Sequence, residues 1–168
     1  MAQPDKQNAA KRPPLEVRGP VVVVDDDEEF RMKFTRMLEG MGLSVIQQDS
    51  GSHCVRFLQN QPWNWYPSIV FTDIVMDGMG GYQLMRRIQE LYPRRSIPII
   101  VVSKLDAGVD VGEAEVAGAA AYITKPVDEQ RVYETVDKVL AADRKGMLVF
   151  TSDYGRRSLR ARMKGKSE

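Results

Sequence analysis

Acidic side chains follow two short apolar runs of this chain. Asp25 and Asp26 come directly after Val21–Val24, and Asp73 comes directly after residues 68–72. Continuous β-branched runs of this kind are typical of strands buried on both faces of a parallel sheet. Two carboxylates about 4 Å apart repel by roughly 4 kcal/mol at an effective dielectric of about 20. A hard divalent cation such as Mg²⁺ removes that repulsion, so these aspartates are candidate metal ligands.

A hydroxyl and an ammonium group follow two further apolar runs. Ser103 comes after residues 97–102, and Lys125 comes after residues 119–124 and precedes Pro126. Proline restricts the backbone of the preceding residue, which helps to fix where the lysine side chain points. Lysine is also a good point-charge binder of phosphate. Together with the aspartates, these residues predict phosphate chemistry at one site.

The elements that must position these residues alternate between strands and helices. In an open parallel sheet the ligand crevice lies at the carboxyl ends of the strands, where all five side chains are predicted to meet. Alternating strands and helices also predict right-handed crossovers. A further strand is predicted at residues 43–46. Apolar spacing predicts helices near residues 30–41, 53–59, 84–91, 109–116 and 132–140.

Composition indicates one ordinary globular domain. Of the 168 residues, 43% are hydrophobic and 28% are charged, which suits a single sizeable core. The one cysteine, Cys54, excludes an intramolecular disulfide and favours a reducing cytoplasm. No apolar run approaches the roughly 18 residues of a membrane span. The N-terminus lacks the apolar core that a signal peptide needs.

The net charge of +1 conceals an acidic body with basic ends. Residues 20–143 hold 12 Lys and Arg against 19 Asp and Glu, whereas residues 144–168 hold eight bases and two acids. Residues 1–19 are rich in Gln, Lys, Ala and Pro, and we expect a disordered tail there. Residues 144–168 are expected to be a disordered basic tail. Alternatively, this basic segment contacts the acidic body of the protein, nucleic acid or anionic lipid.

The chain resembles the CheY-like receiver domains of two-component response regulators from about Pro20 to Asp143. The resemblance is carried by four motifs taken together. These are Val23-Val24-Asp25-Asp26, Thr72-Asp73-Ile74-Val75-Met76, Val102-Ser103 and Tyr122-Ile123-Thr124-Lys125-Pro126. It implies an α/β, doubly wound, five-stranded parallel sheet of the flavodoxin-like receiver type, between the two tails.

The resemblance also implies a role for each motif residue. Asp73 is the expected phosphoacceptor, which Ser103 and Lys125 assist, and Ser103 and Tyr122 are the expected switch residues. The Lys125–Pro126 bond is expected to be cis. The expected Mg²⁺ ligands are Asp26, Asp73, the carbonyl of Val75 and, through a bound water, Asp25.

Two departures from the family pattern bear on the lifetime of a phosphorylated state. The family usually has proline where this chain has Asp77, and a small residue where it has Lys104. Asp77 adds a charge near the expected metal site. Lys104 is a candidate for shielding a phosphoryl group from water.

We therefore predict a stand-alone cytoplasmic response regulator that takes a phosphoryl group on Asp73 from a sensor histidine kinase or phosphotransfer protein. It would signal to a downstream protein, with no enzymatic activity beyond its own phosphorylation and dephosphorylation. No DNA-binding domain fits in the last 25 residues. Two alternatives stay open: a phosphate-independent receiver-like adaptor, and a phosphohydrolase of the haloacid-dehalogenase type. The latter would leave Asp73 without a role.

Overall fold

The computed structural model describes residues 12–104, 107–147 and 151–152. Within these residues the chain alternates between strands and helices. The strands are β1 Val21–Val24, β2 Val45–Gln48, β3 Ile69–Thr72, β4 Ile99–Ser103, β5 Ala121–Thr124 and β6 Thr151–Ser152. The helices are α1 Glu28–Gly40, α2 Gly51–Gln59, α3 Gly81–Leu91, α4 Ala107–Val116 and α5 Glu129–Arg144. None of these helices has the length and apolar character required to cross a bilayer.

The strands form one parallel sheet in the order β2-β1-β3-β4-β5-β6. The strand order reverses at β1, where β2 lies on one side and β3 on the other. Their carboxyl ends therefore form one edge of the sheet, next to the switch point where such folds bind ligands. The predicted doubly wound α/β fold and its five strands are confirmed, and β6 is an addition.

Alternate residues of the central strands enter two separate cores, one on each face of the sheet. Val22 and Val24 of β1 pack with α2, α3 and α4, whereas Val21 and Val23 pack with α1 and α5. All four valines are buried, which explains why the sequence of β1 is a continuous apolar run rather than an alternating one.

Strand β2 lies two residues later than predicted. The positive φ of Gly42 turns the chain, and the amide of Leu43 then donates to Leu38 O of α1. Leu43 is thus buried as part of the end of α1 rather than in the strand. The strand ends instead in Gln47 and Gln48, whose polar side chains suit an edge position.

We expected a disordered tail from residue 144, but the described residues of this segment include regular secondary structure. Arg144 ends α5. Thr151 and Ser152 form β6, which pairs in parallel with Ala121 and Tyr122 of β5. The crossover from β5 through α5 to β6 continues the pattern of the preceding units. The basic residues from 153 onward lie outside the described residues.

Residues 12–19, which we call the N-terminal strap, are also packed rather than disordered. Arg12 Nη1 lies 2.9 Å from Glu129 Oε1 at the start of α5, and its guanidinium stacks over the ring of Tyr133. Farther along the strap, Arg144 Nη1 at the end of α5 lies 3.5 Å from Glu16 Oε2. The strap therefore runs the length of α5. Residues 1–11 lie outside the described residues.

The strap joins the core through one leucine and the sheet through one serine. Leu15 is buried in the same cluster as residues of α1 and α5. The hydroxyl of Ser68, just before β3, accepts hydrogen bonds from the amides of Arg18 and Gly19. It also donates to the carbonyl of Gly19. Apolar burial and these hydrogen bonds order a segment whose composition alone predicts disorder.

Candidate functional site

Two aspartates from neighbouring strands share one lysine at the carboxyl edge of the sheet. Lys125 Nζ donates to Asp25 Oδ2 at 2.7 Å and to Asp73 Oδ2 at 2.8 Å. Asp25 follows β1, Asp73 follows β3 and Lys125 follows β5, so three separate strands build the group. The structure thus brings together three of the residues predicted from the sequence. The Lys125–Pro126 peptide bond is cis, as expected.

Burial and charge pairing together set the protonation of this group. Removal from water raises the pKa of Asp25 above its ordinary value, even though its hydrogen bond to Lys125 acts in the opposite direction. Burial alone would lower the pKa of Lys125. The carboxylates of Asp25 and Asp73 together outweigh that effect and raise it. Lys125 is therefore a firmly charged ammonium at neutral pH.

The carboxylate of Asp73 is held on both of its oxygens. Oδ2 accepts from Lys125, while Oδ1 accepts from the amides of Ile74 at 2.6 Å and Val75 at 3.3 Å. Its own backbone carbonyl accepts from the hydroxyl of Thr72 at 2.8 Å. Asp73 nevertheless keeps some access to solvent, with 12% of its side chain exposed. A held but accessible carboxylate is suited to attack an incoming electrophile.

The acidic run after β1 divides into three different environments. Asp25 is buried and accepts from the amide of Asp27. Asp26 is exposed, and its Oδ2 accepts from the amide of Asp77 at 2.9 Å. Asp27 caps α1 by accepting from the amide of Phe30, which lowers the pKa of its carboxyl. Only the first two carboxylates therefore belong to the candidate site.

Ser103 places a buried hydroxyl beside this site. It is the last residue of β4 and lies in register with Thr124. Its Oγ has no hydrogen-bond partner within the described part of the chain. Buried polar groups are nearly always satisfied, so this oxygen is available to a ligand atom. The other predicted switch residue, Tyr122, is 1% exposed and belongs to the core on the α3 and α4 side.

Two residues of α1 contribute to the site in a way that sequence reasoning missed. The ring of Phe30 lies under Lys125, with Nζ 3.8 Å from the ring centroid. The guanidinium of Arg31 donates to the carbonyl of Asp25 at 2.6 Å. Apolar spacing predicts Phe30 only as the start of the helix near residues 30–41. Its position after the acidic run was the one signal of a second role.

The carboxylate oxygens of the site are donors that suit Mg²⁺. Among residues 12–104, 107–147 and 151–152, no three His, Cys, Asp or Glu side chains already lie close enough together to hold a metal ion. Asp25, Asp26 and Asp73 carry three negative charges when ionised, and Lys125 supplies one positive charge. The carboxylates thus carry more negative charge than Lys125 neutralises, and carboxylate oxygens are ligands that Mg²⁺ prefers. The unpartnered Ser103 hydroxyl fits a phosphate oxygen carried to the same place. Val75, whose carbonyl is the remaining predicted ligand, lies in the connection after β3 and is exposed.

These features define a class of protein: a doubly wound domain with an acid pair, a lone aspartate, a serine and a lysine on one sheet edge. Residues 21–137 match the family model described as the response regulator receiver domain. The chain therefore belongs to the response regulator receiver family and is a response regulator of two-component signal transduction.

Particular relatives support this membership. The chain is 34% identical over 121 residues to protein PilH of Pseudomonas aeruginosa, with 72% of this chain and 97% of PilH covered. It is 33% identical over 127 residues to the DNA-binding transcriptional regulator NtrC of Klebsiella pneumoniae. That match covers 74% of this chain and 25% of NtrC. A solved structure is also similar, the signal receiver domain of a signal transduction histidine kinase from Syntrophus aciditrophicus. Its TM-score is 0.64 at 27% identity, and the match covers 74% of this chain and 91% of that one.

Proposed function

We propose that residues 20–143 form a receiver domain that accepts a phosphoryl group on Asp73. The donor is a phosphohistidine of a sensor histidine kinase or phosphotransfer protein, and the recipient of the signal is a downstream protein. The observation that carries the proposal is the Asp73 carboxylate, which shares Lys125 with Asp25 and keeps 12% of its side chain exposed. We also propose a cytoplasmic location, which the single, buried and free Cys54 favours.

The chemistry follows from positioning and charge. An oxygen of Asp73 attacks phosphorus, the bond from phosphorus to the histidine nitrogen breaks, and the released imidazole takes a proton from solvent. Lys125 lies 2.8 Å from Asp73 and would pair with the transferred group. A phosphoryl group carries more negative charge than a carboxylate and therefore attracts the ammonium more strongly. The amides of Ile74 and Val75 orient the attacking carboxylate. Little covalent work by the protein is needed beyond this.

The proposed metal site consists of the Asp25, Asp26 and Asp73 carboxylates with the carbonyl of Val75. Bound there, Mg²⁺ supplies positive charge to the acid pair and to the phosphoryl oxygens. Asp25 would act mainly through a metal-bound water, and its buried position suits that supporting role.

Ser103 and Tyr122 are the proposed route from chemistry to signal. The unpartnered hydroxyl of Ser103 would donate to a phosphoryl oxygen. Movement of β4 towards the phosphoryl group would then alter the packing of Tyr122, which lies in register with Val101 of β4. A change at the surface formed by α4 and β5 would follow, where a target protein can read it.

The test is the intact mass of the protein after incubation with acetyl phosphate, with and without Mg²⁺. We expect wild type to gain one phosphoryl group only with Mg²⁺, and Asp73→Asn to gain none. Asp49→Asn is the matched control, because Asp49 follows β2 as Asp73 follows β3 but pairs with His53 instead. A gain that persists in Asp73→Asn would place the acceptor elsewhere. No gain in folded wild type would favour a phosphate-independent adaptor.

A further inference from the structure

Lys104 directly follows Ser103, whose buried hydroxyl has no partner among the described residues. Its side chain is 74% exposed, and its ammonium lies 3.9 Å from Asp27 Oδ2. An exposed ion pair at that distance contributes about 0–1 kcal/mol to stability. Lys104 can therefore leave Asp27 readily for a partner with more charge. Asp27 in turn is already engaged as the cap of α1 through Phe30.

Lys104 and Lys125 line one open groove of about 450 Å³. Lys125 is the buried member of this lining: 3% of its side chain is exposed, and its ammonium is held by Asp25 and Asp73. Lys104 is an exposed member of the same lining, so its ammonium can move along the groove towards Lys125 and the acceptor that Lys125 contacts. The groove is lined by Asp27, Glu29, Phe30, Lys33, Lys104, Lys125 and Pro126.

Phosphorylation of Asp73 would add a strong negatively charged partner for the lysines that line this groove. The phosphoryl group brings roughly −1.5 to −2 charges and strong acceptor oxygens. Charge-assisted hydrogen bonds to such oxygens are about twice as strong as neutral ones. Lys125 lies deeper and is already shared between two carboxylates, whereas Lys104 is held only by a 3.9 Å pair.

We propose that Lys104 exchanges Asp27 for an oxygen of the phosphoryl group on Asp73, and that it slows hydrolysis by covering the group. This inference rests on the proposed phosphorylation of Asp73. In hydrolysis the oxygen of a water molecule attacks phosphorus and the bond to the Asp73 oxygen breaks. The carboxylate is restored, and inorganic phosphate leaves with the oxygen and both protons of the water, as dihydrogen phosphate. A lysine side chain over the open face of the phosphoryl group excludes that water. Lys104 is thus a positioning residue that sets how long the signal lasts.

The experiment measures loss of the phosphoryl group after acetyl phosphate is removed, by intact mass at intervals. We expect Lys104→Ala to lose it about three- to tenfold faster than wild type. Lys104→Arg should keep the slow rate, and Lys104→Met should be fast because it keeps the length but lacks the charge. Lys138→Ala, which removes an exposed lysine of α5, is the control for loss of one positive charge.

Two further measurements distinguish a charge contact between Lys104 and the phosphoryl group from a structural effect of the Lys104 substitutions. Asp27→Asn should slow the loss, because asparagine still caps α1 but no longer competes for Lys104. Raising the salt concentration should speed the loss in wild type, since exposed ionic contacts are screened, and should have less effect in Lys104→Ala.

Equal rates in wild type and Lys104→Ala would overturn the inference while leaving the proposed function intact. A slow Lys104→Met beside a fast Lys104→Ala would overturn the ionic contact, since bulk alone would then suffice. If folded wild type takes up no phosphoryl group, the proposed function and this inference both fail.

Discussion

Asp25 is a buried carboxylate that the fold tolerates at a cost. Its raised pKa means that the folded state favours the protonated form more than the unfolded chain does. The folded state therefore binds more protons between the ordinary pKa near 3.8 and the raised value, and stability falls as pH rises through that window. A buried carboxylate whose pKa is raised in this way is typical of a functional site.

Asp25→Asn should therefore stabilise the metal-free protein at pH 7 while weakening Mg²⁺-dependent phosphorylation. Asparagine removes the buried charge but can still accept the hydrogen bond from the amide of Asp27. Lys125 keeps Asp73 as its partner. The measurement is the urea midpoint of both proteins at pH 7, together with intact mass after acetyl phosphate. A lower midpoint for the variant would show that the Lys125 contact outweighs the cost of burial.

At the scale of single residues, sequence patterns predicted which side chains meet but not how they pair. Asp25, Asp73, Ser103 and Lys125 could be found because each closes a strand. Whether Lys125 contacts one carboxylate or both depends on side-chain conformations that are set by tertiary packing. The division of the acidic run into site residues and a helix cap follows from where α1 begins, and three consecutive aspartates do not reveal that.

At the scale of elements, the start of α3 is tightly coupled to the acceptor. The amide of Gly81 donates to Ile74 O at 2.8 Å. A Cβ atom on Gly81 would lie 2.2 Å from Asp73 O, far inside van der Waals contact with backbone. Glycine is thus required here so that the helix can approach the backbone of Asp73 closely.

Gly81→Ala should lower stability by about 1–3 kcal/mol and reduce phosphorylation of Asp73, because the acceptor backbone must shift. Gly112→Ala is the matched control. It lies in α4 with nothing within 4 Å of the added Cβ, and alanine should stabilise that helix by about 0.5–1 kcal/mol. Thermal unfolding and intact mass test both variants. Normal phosphorylation of Gly81→Ala would mean that the connection after β3 absorbs the shift elsewhere.

The elements themselves were largely predictable because four strands are continuous apolar runs and most helices carry an apolar stripe. Edge elements were harder to predict. β2 ends in two glutamines and β6 has only two residues, so neither carries a clear period. Their positions are set by pairing with β1 and β5 rather than by local preference.

At the scale of the whole molecule, the N-terminal strap belongs to the folded body. Leu15 and the partly buried Val17 join the core on the α1 and α5 side. Their neighbours are prolines, arginines and a glutamate, so no period distinguishes them in the sequence. Their partners come from α1, α5 and the strands of the assembled core, which is why composition predicted disorder.

Leu15→Ala should destabilise the protein by about 2 kcal/mol, since it removes a buried side chain from an otherwise closed core. Glu16→Gln is the neighbouring control, because its exposed pair with Arg144 is 3.5 Å long and should contribute less than about 1 kcal/mol. Urea unfolding measures both. Equal midpoints for Leu15→Ala and wild type would mean that the strap adds no packing energy.

The path of the strap determines on which side of the molecule residue 12 lies. β1 starts at the amino edge of the sheet, but residue 12 lies beside Glu129, the first residue of α5. That helix is 16 residues or about 24 Å long, and the strap spans it. A label attached at residue 12 would therefore sit on the side of the acceptor aspartate. Under the proposed function it would interfere there with a docking kinase, so a label elsewhere is the better choice for binding assays.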